Sequence, residues 1–300
     1  MSYSQFFGFE REPFSNAPDS RFYFENAQHK QAQLRIRHVI DSGGGLAVVS
    51  GGIGSGKTTL ARHILDTLPL EIYESSLLVM VHSGITPEWI LTRIAMQLGV
   101  QEPAADRMAV LKQLYERLLE IHAEGRRAVV LIDEAQMLQT SALMEEFRGL
   151  LNLEIPGKKL LNLIFFGLPE VEECLQLDKP LAQRVAMRYH LHPLQEMETL
   201  EYIHHRLRIA GAEQEMFSAE AVAAIQRFSA GVPRLINTLC ANCLFEAFLT
   251  NRHMVENQTV ASVAGDLGLT SAEVAESHAG LEQHLGRIEE LLERLEQRRG

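Results

Sequence analysis

Short uninterrupted apolar runs alternate with segments in which apolar residues recur every three or four positions. The apolar runs are typical of strands buried on both faces of a sheet. They lie at residues 47–50, 77–81, 128–132, 160–166 and 189–191. The periodic segments predict amphipathic helices. They lie at residues 27–40, 58–68, 87–98, 109–121 and 141–151. Strands that alternate with helices predict an α/β domain built on a parallel sheet.

The chain on either side of this alternation has different patterns. Residues 1–45 form an arm rich in aromatic and turn residues followed by a helix, and its aromatic side chains could line a base pocket or pack in the core. From Pro193 onward, helical spacing continues without apolar strands. We therefore expect four regions. They are the arm and helix (1–45), the α/β domain (46–193), a helical domain (194–270) and a C-terminal helix (271–300).

The C-terminal region carries the alternating four-and-three spacing of a short coiled coil. Its apolar positions are Leu281, Leu285, Ile288, Leu292 and Leu295. So short a helix is marginal by itself, so it should associate with copies of itself or a protein partner, or pack on the helical domain. The narrowness of the stripe favours association.

Composition is that of a soluble globular protein. Of 300 residues, 46% are hydrophobic, and no apolar run approaches the roughly 18 residues that a membrane span needs. The first residues show no secretory signal pattern, and the 3 cysteines are too few for a disulfide framework, so we expect a cytoplasmic protein. The formal net charge of −11 disfavours nucleic acid as a partner.

The first predicted strand leads into a glycine-rich loop. The loop and the residue after it read Gly51-Gly52-Ile53-Gly54-Ser55-Gly56-Lys57-Thr58-Thr59, which matches G-x-x-x-x-G-K-[ST] at every fixed position. Glycines let successive backbone amides surround a phosphate, Lys57 can reach the β and γ oxygens, and the Thr58 hydroxyl can bind Mg²⁺. A strand, this loop and a helix in that order predict a site for ATP with Mg²⁺.

A pair of carboxylates follows the apolar run at residues 128–132. Asp133 and Glu134 stand at the carboxyl end of that predicted strand, where α/β sheets place their ligands. An acidic pair after a strand is by itself more often a helix cap or a solvated turn. Together with the glycine-rich loop, it predicts that Asp133 holds Mg²⁺ through water and that Glu134 polarises the water that attacks the γ-phosphate.

Three arginines are candidates for contact with a nucleotide. Arg184 and Arg188 are predicted on one helix before the strand at 189–191, where they would share a face and could reach the nucleotide of a neighbouring subunit. Solvated or salt-bridged arginines are the alternative. Arg234 is predicted in the first turn of a helix that Pro233 opens, where the helix dipole does not favour a cation, so an anionic ligand is indicated.

These motifs together resemble the AAA+ ATPases of the general secretion pathway protein A type, from about residue 3 to residue 268. Besides the glycine-rich loop, the resemblance is carried by Phe6-Phe7-Gly8-Phe9, Pro13-Phe14, Pro18-Asp19, Leu131-Ile132-Asp133-Glu134-Ala135-Gln136, Gly167, Pro169-Glu170, Leu181-Ala182-Gln183-Arg184, Tyr202-Ile203, His205-Arg206-Leu207, Ala210-Gly211 and Gly231-Val232-Pro233-Arg234-Leu235-Ile236-Asn237. It implies a P-loop NTPase (AAA+) core with a helical lid and an ATP-dependent oligomer. It also implies that Arg234 is the sensor 2 arginine, which touches the γ-phosphate, and that Arg184 and Arg188 are arginine-finger candidates.

One position departs from the family. Leu168 stands where the family has a glutamine before the Pro-Glu of its sensor 1 turn, and leucine can neither donate to nor accept from the lytic water. The departure predicts slow turnover. Members of the secretion type continue into a membrane span and a peptidoglycan-binding domain, and the resemblance here covers the ATPase core without them.

The leading functional hypothesis is an ATP-driven motor or switch that helps to assemble an envelope machine such as a secretin or pilus, recruited to the inner membrane by a partner. One alternative is a DNA-binding transposition regulator of the MuB/TnsC type. A helix-turn-helix-like stretch at residues 260–274 would suit this alternative, but its would-be reading helix carries Glu273 and Glu276 and no Lys or Arg, so phosphates would repel it. A second alternative is a nucleotide-gated scaffold with little turnover.

Overall fold

The computed structural model describes residues 2–269, apart from Pro18, Ser83 and Glu213. These residues group into two compact units. The sheet unit ends at His192 and contains the described residues that follow Ala17. The helical unit combines the segment up to Ala17 with the chain from Pro193 onward.

The elements follow one another in an α/β order and then an all-helical order. The strands are β1 (Leu46–Gly51), β2 (Tyr73–Val79), β3 (Arg127–Asp133), β4 (Glu154–Ile155), β5 (Lys158–Lys159), β6 (Leu161–Gly167) and β7 (Val185–Leu191). The helices are α1 (Tyr3–Phe7), α2 (Ala27–Ser42), α3 (Lys57–Thr67), α4 (Pro87–Gln97), α5 (Arg107–Ala123), α6 (Ser141–Leu150), α7 (Val171–Gln176), α8 (Lys179–Ala182), α9 (Glu196–Ile209), α10 (Ala219–Ser229), α11 (Pro233–Leu249) and α12 (Asn257–Asp266). Short 3₁₀ helices lie at Ser20–Phe22 and Ala135–Met137.

The sheet unit is built on a 5-stranded sheet in the order β2-β3-β6-β1-β7, and all its strand pairs are parallel. In the central register, Phe165 of β6 pairs with Val48 of β1 on one side and Ile132 of β3 on the other. The carboxyl ends of β1 and β3, which carry the glycine-rich loop and Asp133, therefore lie on the same edge of the sheet, separated by β6.

Helices cover both faces of this sheet. On one face, Val48, Val130 and Phe165 belong to a core that α4, α5, α6 and α7 complete. On the other face, the neighbouring residues Val49 and Phe166 pack with α2 and α3. Successive strand residues point to opposite faces, so burial of both faces explains why the strands are uninterrupted apolar runs. Each such buried side chain contributes about 1.5–3 kcal/mol relative to exposure.

The helical unit contains α1 and α9 to α12, and a buried side chain of α9 holds the N-terminal segment on these helices. Arg206 of α9 is 6% exposed and donates hydrogen bonds to the carbonyl oxygens of Pro13 and Ser15 and to the Tyr202 hydroxyl. A buried cation that binds backbone carbonyls holds the segment around residues 13–15 on the helices. This contact is one of those that group the residues up to Ala17 with the chain from Pro193 onward.

Several predicted boundaries differ from the structure. The arm and helix predicted as one region, residues 1–45, are divided, because the segment up to Ala17 joins the helical unit and α2 packs on the sheet. The prediction that one helix carries Arg184 and Arg188 is wrong, since α8 ends at Ala182 and Arg188 lies within β7. The predicted C-terminal helix at 271–300 lies outside the described residues. Within the described part of the chain, no helix combines the length and apolarity that crossing a bilayer requires.

Candidate nucleotide site

Glycine shapes the loop that joins β1 to α3. Gly54 and Gly56 have φ angles of 76° and 96°, a left-handed conformation that side chains with a Cβ rarely adopt. Gly56 is the N-cap of α3 and provides no side-chain capping hydrogen bond. The first backbone N–H groups of a helix have no partner within the helix. Where no side chain caps them, they can donate to an anionic ligand, as they do in phosphate-binding loops. The loop therefore has the backbone geometry that its sequence predicts.

Lys57 is the first residue of α3 and is 7% exposed. Its Nζ donates to the carbonyl oxygens of Gly51 at 2.8 Å and of Gly52 at 2.9 Å. A buried ammonium group is stable only where dipoles or anions face it. These carbonyls hold the cation beside the loop, where a phosphate oxygen could join its partners.

Asp133 is the last residue of β3 and is 1% exposed. Its Oδ1 accepts a hydrogen bond from the Glu134 amide at 3.0 Å, and the Thr58 side chain lies near its carboxylate. Burial raises the pKa of Asp133 above its ordinary value, and the contacts with Thr58 and the Glu134 amide partly offset that rise. The glycine-rich loop and the carboxylate pair, far apart in sequence, thus come together where Thr58 lies beside Asp133.

Asp133 also has a buried oxygen, Oδ2, that has no hydrogen-bond partner among the described residues. Buried polar atoms in native proteins are nearly always satisfied, so an orphaned carboxylate oxygen indicates a ligand. Mg²⁺ prefers oxygen ligands and is usually bound through one or two side chains and several waters. The Thr58 hydroxyl and the Asp133 carboxylate form such a set, so the residues present fit a magnesium ion.

Glu134 has a strained backbone. Its φ and ψ are 57° and 38°, in the left-handed region, and it precedes the 3₁₀ helix Ala135–Met137. A non-glycine residue in this region costs about 1–3 kcal/mol, and such strain concentrates at functional sites. The chain reverses direction sharply after Asp133, so two adjacent carboxylates acquire different surroundings. Glu134 accepts a hydrogen bond at Oε2 from Gln136 Nε2 at 2.5 Å.

The turn after β6 is the place where the family carries sensor 1. Leu168 follows Gly167 there, and its backbone N–H donates to Gln136 Oε1 at 3.0 Å. The leucine side chain has no polar atom, so the polar contact of this turn is made by the main chain. Gln136 is within the motif that carries the family resemblance, but the sequence alone predicts no role for it.

Arg184 and Arg188 are both exposed and both engaged within the sheet unit. Arg184 follows α8 and donates to Asn152 Oδ1 at 2.6 Å. Arg188 lies on β7, an edge strand, and its Nε donates to the Glu172 carboxylate at 3.1 Å. Each contact is an exposed polar interaction of small energy that an incoming phosphate could replace. Their assignment as arginine fingers stays a prediction.

Arg234 lies in the helical unit. It occupies the first turn of α11, one residue after Pro233, and it is exposed. Its backbone carbonyl accepts from the Thr238 hydroxyl at 3.0 Å. The helix start is where the sequence places it, and the sensor 2 role stays a prediction.

Three stacked rings lie beside the glycine-rich loop, and none of them is among the predicted site residues. The His29 imidazole lies 3.6 Å from where a Cβ on Gly56 would stand. The Tyr23 ring is stacked with those of His29 and His63, at centroid distances of 5.7 Å and 3.7 Å. Burial lowers the pKa of His63 and raises that of Tyr23. The aromatic composition of residues 1–45 is the signal for Tyr23, and nothing in the sequence indicated His63, because ring stacking across elements leaves no periodic pattern.

Known proteins share this fold. A family described as AAA domain matches residues 39–175. The ORC2 protein of Aeropyrum pernix superposes with a TM-score of 0.64 at 16% identity, covering 86% of this chain and 72% of that one. The Holliday junction branch migration motor RuvB of Thermotoga maritima gives 0.53 at 16% identity over 81% and 70%. The chain therefore has the fold of the P-loop AAA+ ATPases.

A curated relative is considerably more similar in sequence. The chain is 36% identical over 279 residues to general secretion pathway protein A of Aeromonas hydrophila, which covers 91% of this chain. This similarity confirms the resemblance that the motifs predict. The chain spans about half the length of that relative, 48%. The chain is thus related to general secretion pathway protein A over most of its own length.

Proposed function

We propose that this protein binds ATP with Mg²⁺ and hydrolyses it to ADP and phosphate. The observation that carries the proposal is the buried Oδ2 of Asp133, which has no partner among the described residues, together with the Thr58 side chain near the same carboxylate. A hydroxyl and a carboxylate that meet beside a phosphate-binding loop provide the ligands that a P-loop uses for magnesium. A turn that only joins a strand to a helix would not need this hydroxyl and carboxylate together.

Each group of residues at the site has its own role in the proposed phosphoryl transfer. The loop amides and Lys57 bind the β- and γ-phosphates and offset their charge. Thr58 and Asp133 hold the metal, which neutralises developing negative charge when it is bound. Glu134 orients the attacking water and accepts its proton, since its carboxylate follows the metal-binding residue at the same sheet edge. The stacked rings beside Gly56 are placed to border the nucleoside.

The working form in this proposal is an ATP-dependent homo-oligomer, a ring or filament. The resemblance to AAA+ proteins supports it, as do two exposed arginines whose present partners are weak surface contacts. Arg184 or Arg188 would leave Asn152 or Glu172 for the γ-phosphate bound by a neighbouring subunit. Arg234 would sense the γ-phosphate, the sensor 2 role that the family resemblance implies. Hydrolysis through Glu134 would then release the assembly.

In the cell, we propose a cytoplasmic motor or switch that acts on an envelope assembly of the secretin or pilus type, recruited to the inner membrane by a protein partner. The relative's name, general secretion pathway protein A, supports this role. The net charge of −11 is unfavourable for the DNA-binding alternative. DNA-stimulated turnover with co-sedimentation at physiological salt would favour that alternative instead.

A specific observation also supports a second candidate, a nucleotide-gated scaffold. The sensor 1 turn contributes only a backbone N–H, from Leu168, so no side chain there orients the lytic water. The scaffold would bind ATP tightly and assemble with it but turn it over near the background rate. Measured turnover decides between the two candidates.

The central test compares wild type with Lys57→Ala and Glu134→Gln by calorimetry, steady-state turnover and mass photometry. Loss of a general base lowers turnover by about 10²–10⁴-fold, so Glu134→Gln should bind ATP and assemble but barely hydrolyse it. Lys57→Ala should lose nucleotide affinity. Unaltered ATP affinity in Lys57→Ala would refute the site, and monomers in every nucleotide state would refute the oligomer.

A further inference from the structure

Gln136 links Glu134 to the turn at Leu168, two parts of the candidate site between which the proposed roles include no contact. Its Nε2 donates to Glu134 Oε2 at 2.5 Å, and its Oε1 accepts from the Leu168 backbone N–H at 3.0 Å. The first partner follows β3 and the second follows β6, so the side chain spans two neighbouring strand ends. One amide group therefore connects the proposed general base to the sensor 1 turn.

The surroundings of Gln136 leave it little freedom. The residue is 7% exposed, and its backbone carbonyl accepts from Cys174 Sγ at 3.5 Å. A Cβ at residue 167 would lie 2.9 Å from Gln136 Oε1 and 3.2 Å from its backbone nitrogen. The amide fits in this orientation because Gly167 has no side chain. Hydrogen bonds at its backbone carbonyl and at both ends of its amide fix the orientation of Gln136. A side chain fixed in this way can in turn fix the orientation of a group that it binds.

We propose that Gln136 is a positioning residue for ATP hydrolysis: it orients the Glu134 carboxylate and ties that orientation to the turn at Gly167 and Leu168. The inference rests on the proposed function, because Gln136 acts through Glu134 and touches no nucleotide in this role. Gly167 and Leu168 have no polar side-chain atom, so the backbone of this part of the turn reaches the proposed general base through Gln136. Movement of the turn would thus be transmitted to the general base.

A purely structural role would need only one of these hydrogen bonds. Any acceptor would satisfy the Leu168 N–H and hold the turn. The Gln136 Nε2 group donates instead to the Glu134 carboxylate, and hydrogen bonds to charged groups are shorter and stronger than those between neutral groups. Glu134 stands on a strained backbone, so its side chain benefits from such a restraint. Misplacing a catalytic group by about 1 Å costs on the order of 10²-fold in rate.

Two substitutions separate the two hydrogen bonds. Gln136→Met removes both at similar side-chain size. Gln136→Glu keeps an oxygen that can accept from Leu168 N–H, but it puts a second oxygen, in place of the donor, against Glu134. The matched control is Gln139→Met, the same change on an exposed glutamine of the same loop.

The variants are compared by steady-state turnover, by ATP affinity and by hydrogen exchange at the Leu168 amide. We expect kcat to fall about 10–100-fold in both Gln136 variants, the range seen when an orienting hydrogen bond is lost. ATP affinity should stay within about twofold, since no phosphate contact is removed. Exchange at Leu168 should accelerate in Gln136→Met and stay slow in Gln136→Glu, and Gln139→Met should match wild type. An unchanged or increased kcat in either Gln136 variant overturns the inference.

A double variant distinguishes action through Glu134 from general damage. In a Glu134→Gln background, Gln136→Met should cause no further loss of turnover, because the group that Gln136 positions is already gone. An additional loss of about tenfold would overturn the inference. Wild type without turnover would remove the proposed hydrolysis and this inference together. Turnover that is lost in Glu134→Gln but kept in Gln136→Met would remove the inference alone.

Discussion

Each unit of the protein buries a group of polar side chains, and the two groups differ in how completely the protein satisfies them. In the helical unit, Arg206 binds two backbone carbonyls and the Tyr202 hydroxyl, and that hydroxyl donates in turn to Asn237 at 2.9 Å. In the sheet unit, Asp133 keeps one buried oxygen without a partner among the described residues, and Glu134 beside it is strained.

This difference separates polar groups that hold the fold from polar groups that await a ligand. A fully hydrogen-bonded network stabilises one arrangement of the chain, whereas an orphaned oxygen costs free energy unless something else binds it. The free-energy cost at Asp133 lies beside the glycine-rich loop, where binding of a magnesium ion would offset it. The Arg206 network should therefore behave as structure, and the Asp133 pair as a binding site.

The largest expected effect on stability comes from Arg206→Met. The change removes the donors to Pro13, Ser15 and Tyr202 and leaves buried acceptors unsatisfied. We expect the free energy of unfolding to fall by about 2–4 kcal/mol, as for other broken buried networks. Denaturant unfolding followed by circular dichroism measures it, with Arg208→Met, on an exposed arginine of the same helix, as control. A loss below about 0.5 kcal/mol would mean that the network does not hold the N-terminal segment.

An intermediate effect of the opposite sign is expected from Asp133→Asn in the absence of nucleotide and metal. Burial raises the pKa of Asp133, so the folded state binds its proton more tightly than the unfolded state does. The stability linked to that proton is present at acid pH and is lost as pH rises through the raised pKa. A neutral amide removes this cost, so at neutral pH the variant should gain about 1 kcal/mol, or about 2–4 °C in melting temperature.

The dependence on pH and on Mg·ATP checks the sign of that effect. The gain of Asp133→Asn over wild type should shrink as pH falls toward the acid range, where the wild-type carboxyl becomes protonated. With Mg·ATP present the order should reverse, because wild type alone keeps the metal-binding carboxylate. Thermal melts from acid to neutral pH, with and without Mg·ATP, measure both. A variant that is less stable at every pH without ligand would show that the buried charge is already compensated.

The strand, the glycine-rich loop and the helix of the sheet unit could be predicted from sequence because each feature is local. The residues from Gly51 to Thr59 need a strand before them and a helix after them, and a buried parallel strand needs an apolar run before Asp133. The α/β fold class is accordingly confirmed. Gln136 could not be assigned a role, because its partner Leu168 becomes a neighbour only when β6 lies beside β3.

The errors have the same origin. Arg188 was predicted on a helix, but pairing with β1 draws residues 185–191 into an edge strand, and helical spacing says nothing about such pairing. The division of residues 1–45 depends on Arg206, which lies far along the chain from its partners Pro13 and Ser15. Contacts between distant segments decide both outcomes, so no window of neighbouring residues could have shown them.

Backbone strain offers a second contrast between the two units. Glu134 and Ala230 both have positive φ, at 57° and 47°. Ala230 is the C-cap of α10, a position that glycine favours and at which a Cβ gains nothing. Glu134 carries a side chain that the proposed hydrolysis needs. Strain at the first position is thus incidental to helix termination, and strain at the second coincides with the proposed general base.

The smallest expected effect tests this contrast through Ala230→Gly. Relief of the left-handed strain should exceed the added entropy of the unfolded chain, so the protein should gain about 0.5–1 kcal/mol in its free energy of unfolding. The matched change Glu134→Gly relieves similar strain in the sheet unit, but it should abolish turnover. Denaturant unfolding and steady-state hydrolysis measured on both variants separate the two cases. If Ala230→Gly destabilised the protein, its conformation would be favoured by contacts of the methyl group rather than tolerated, and the same explanation would then have to be considered for Glu134.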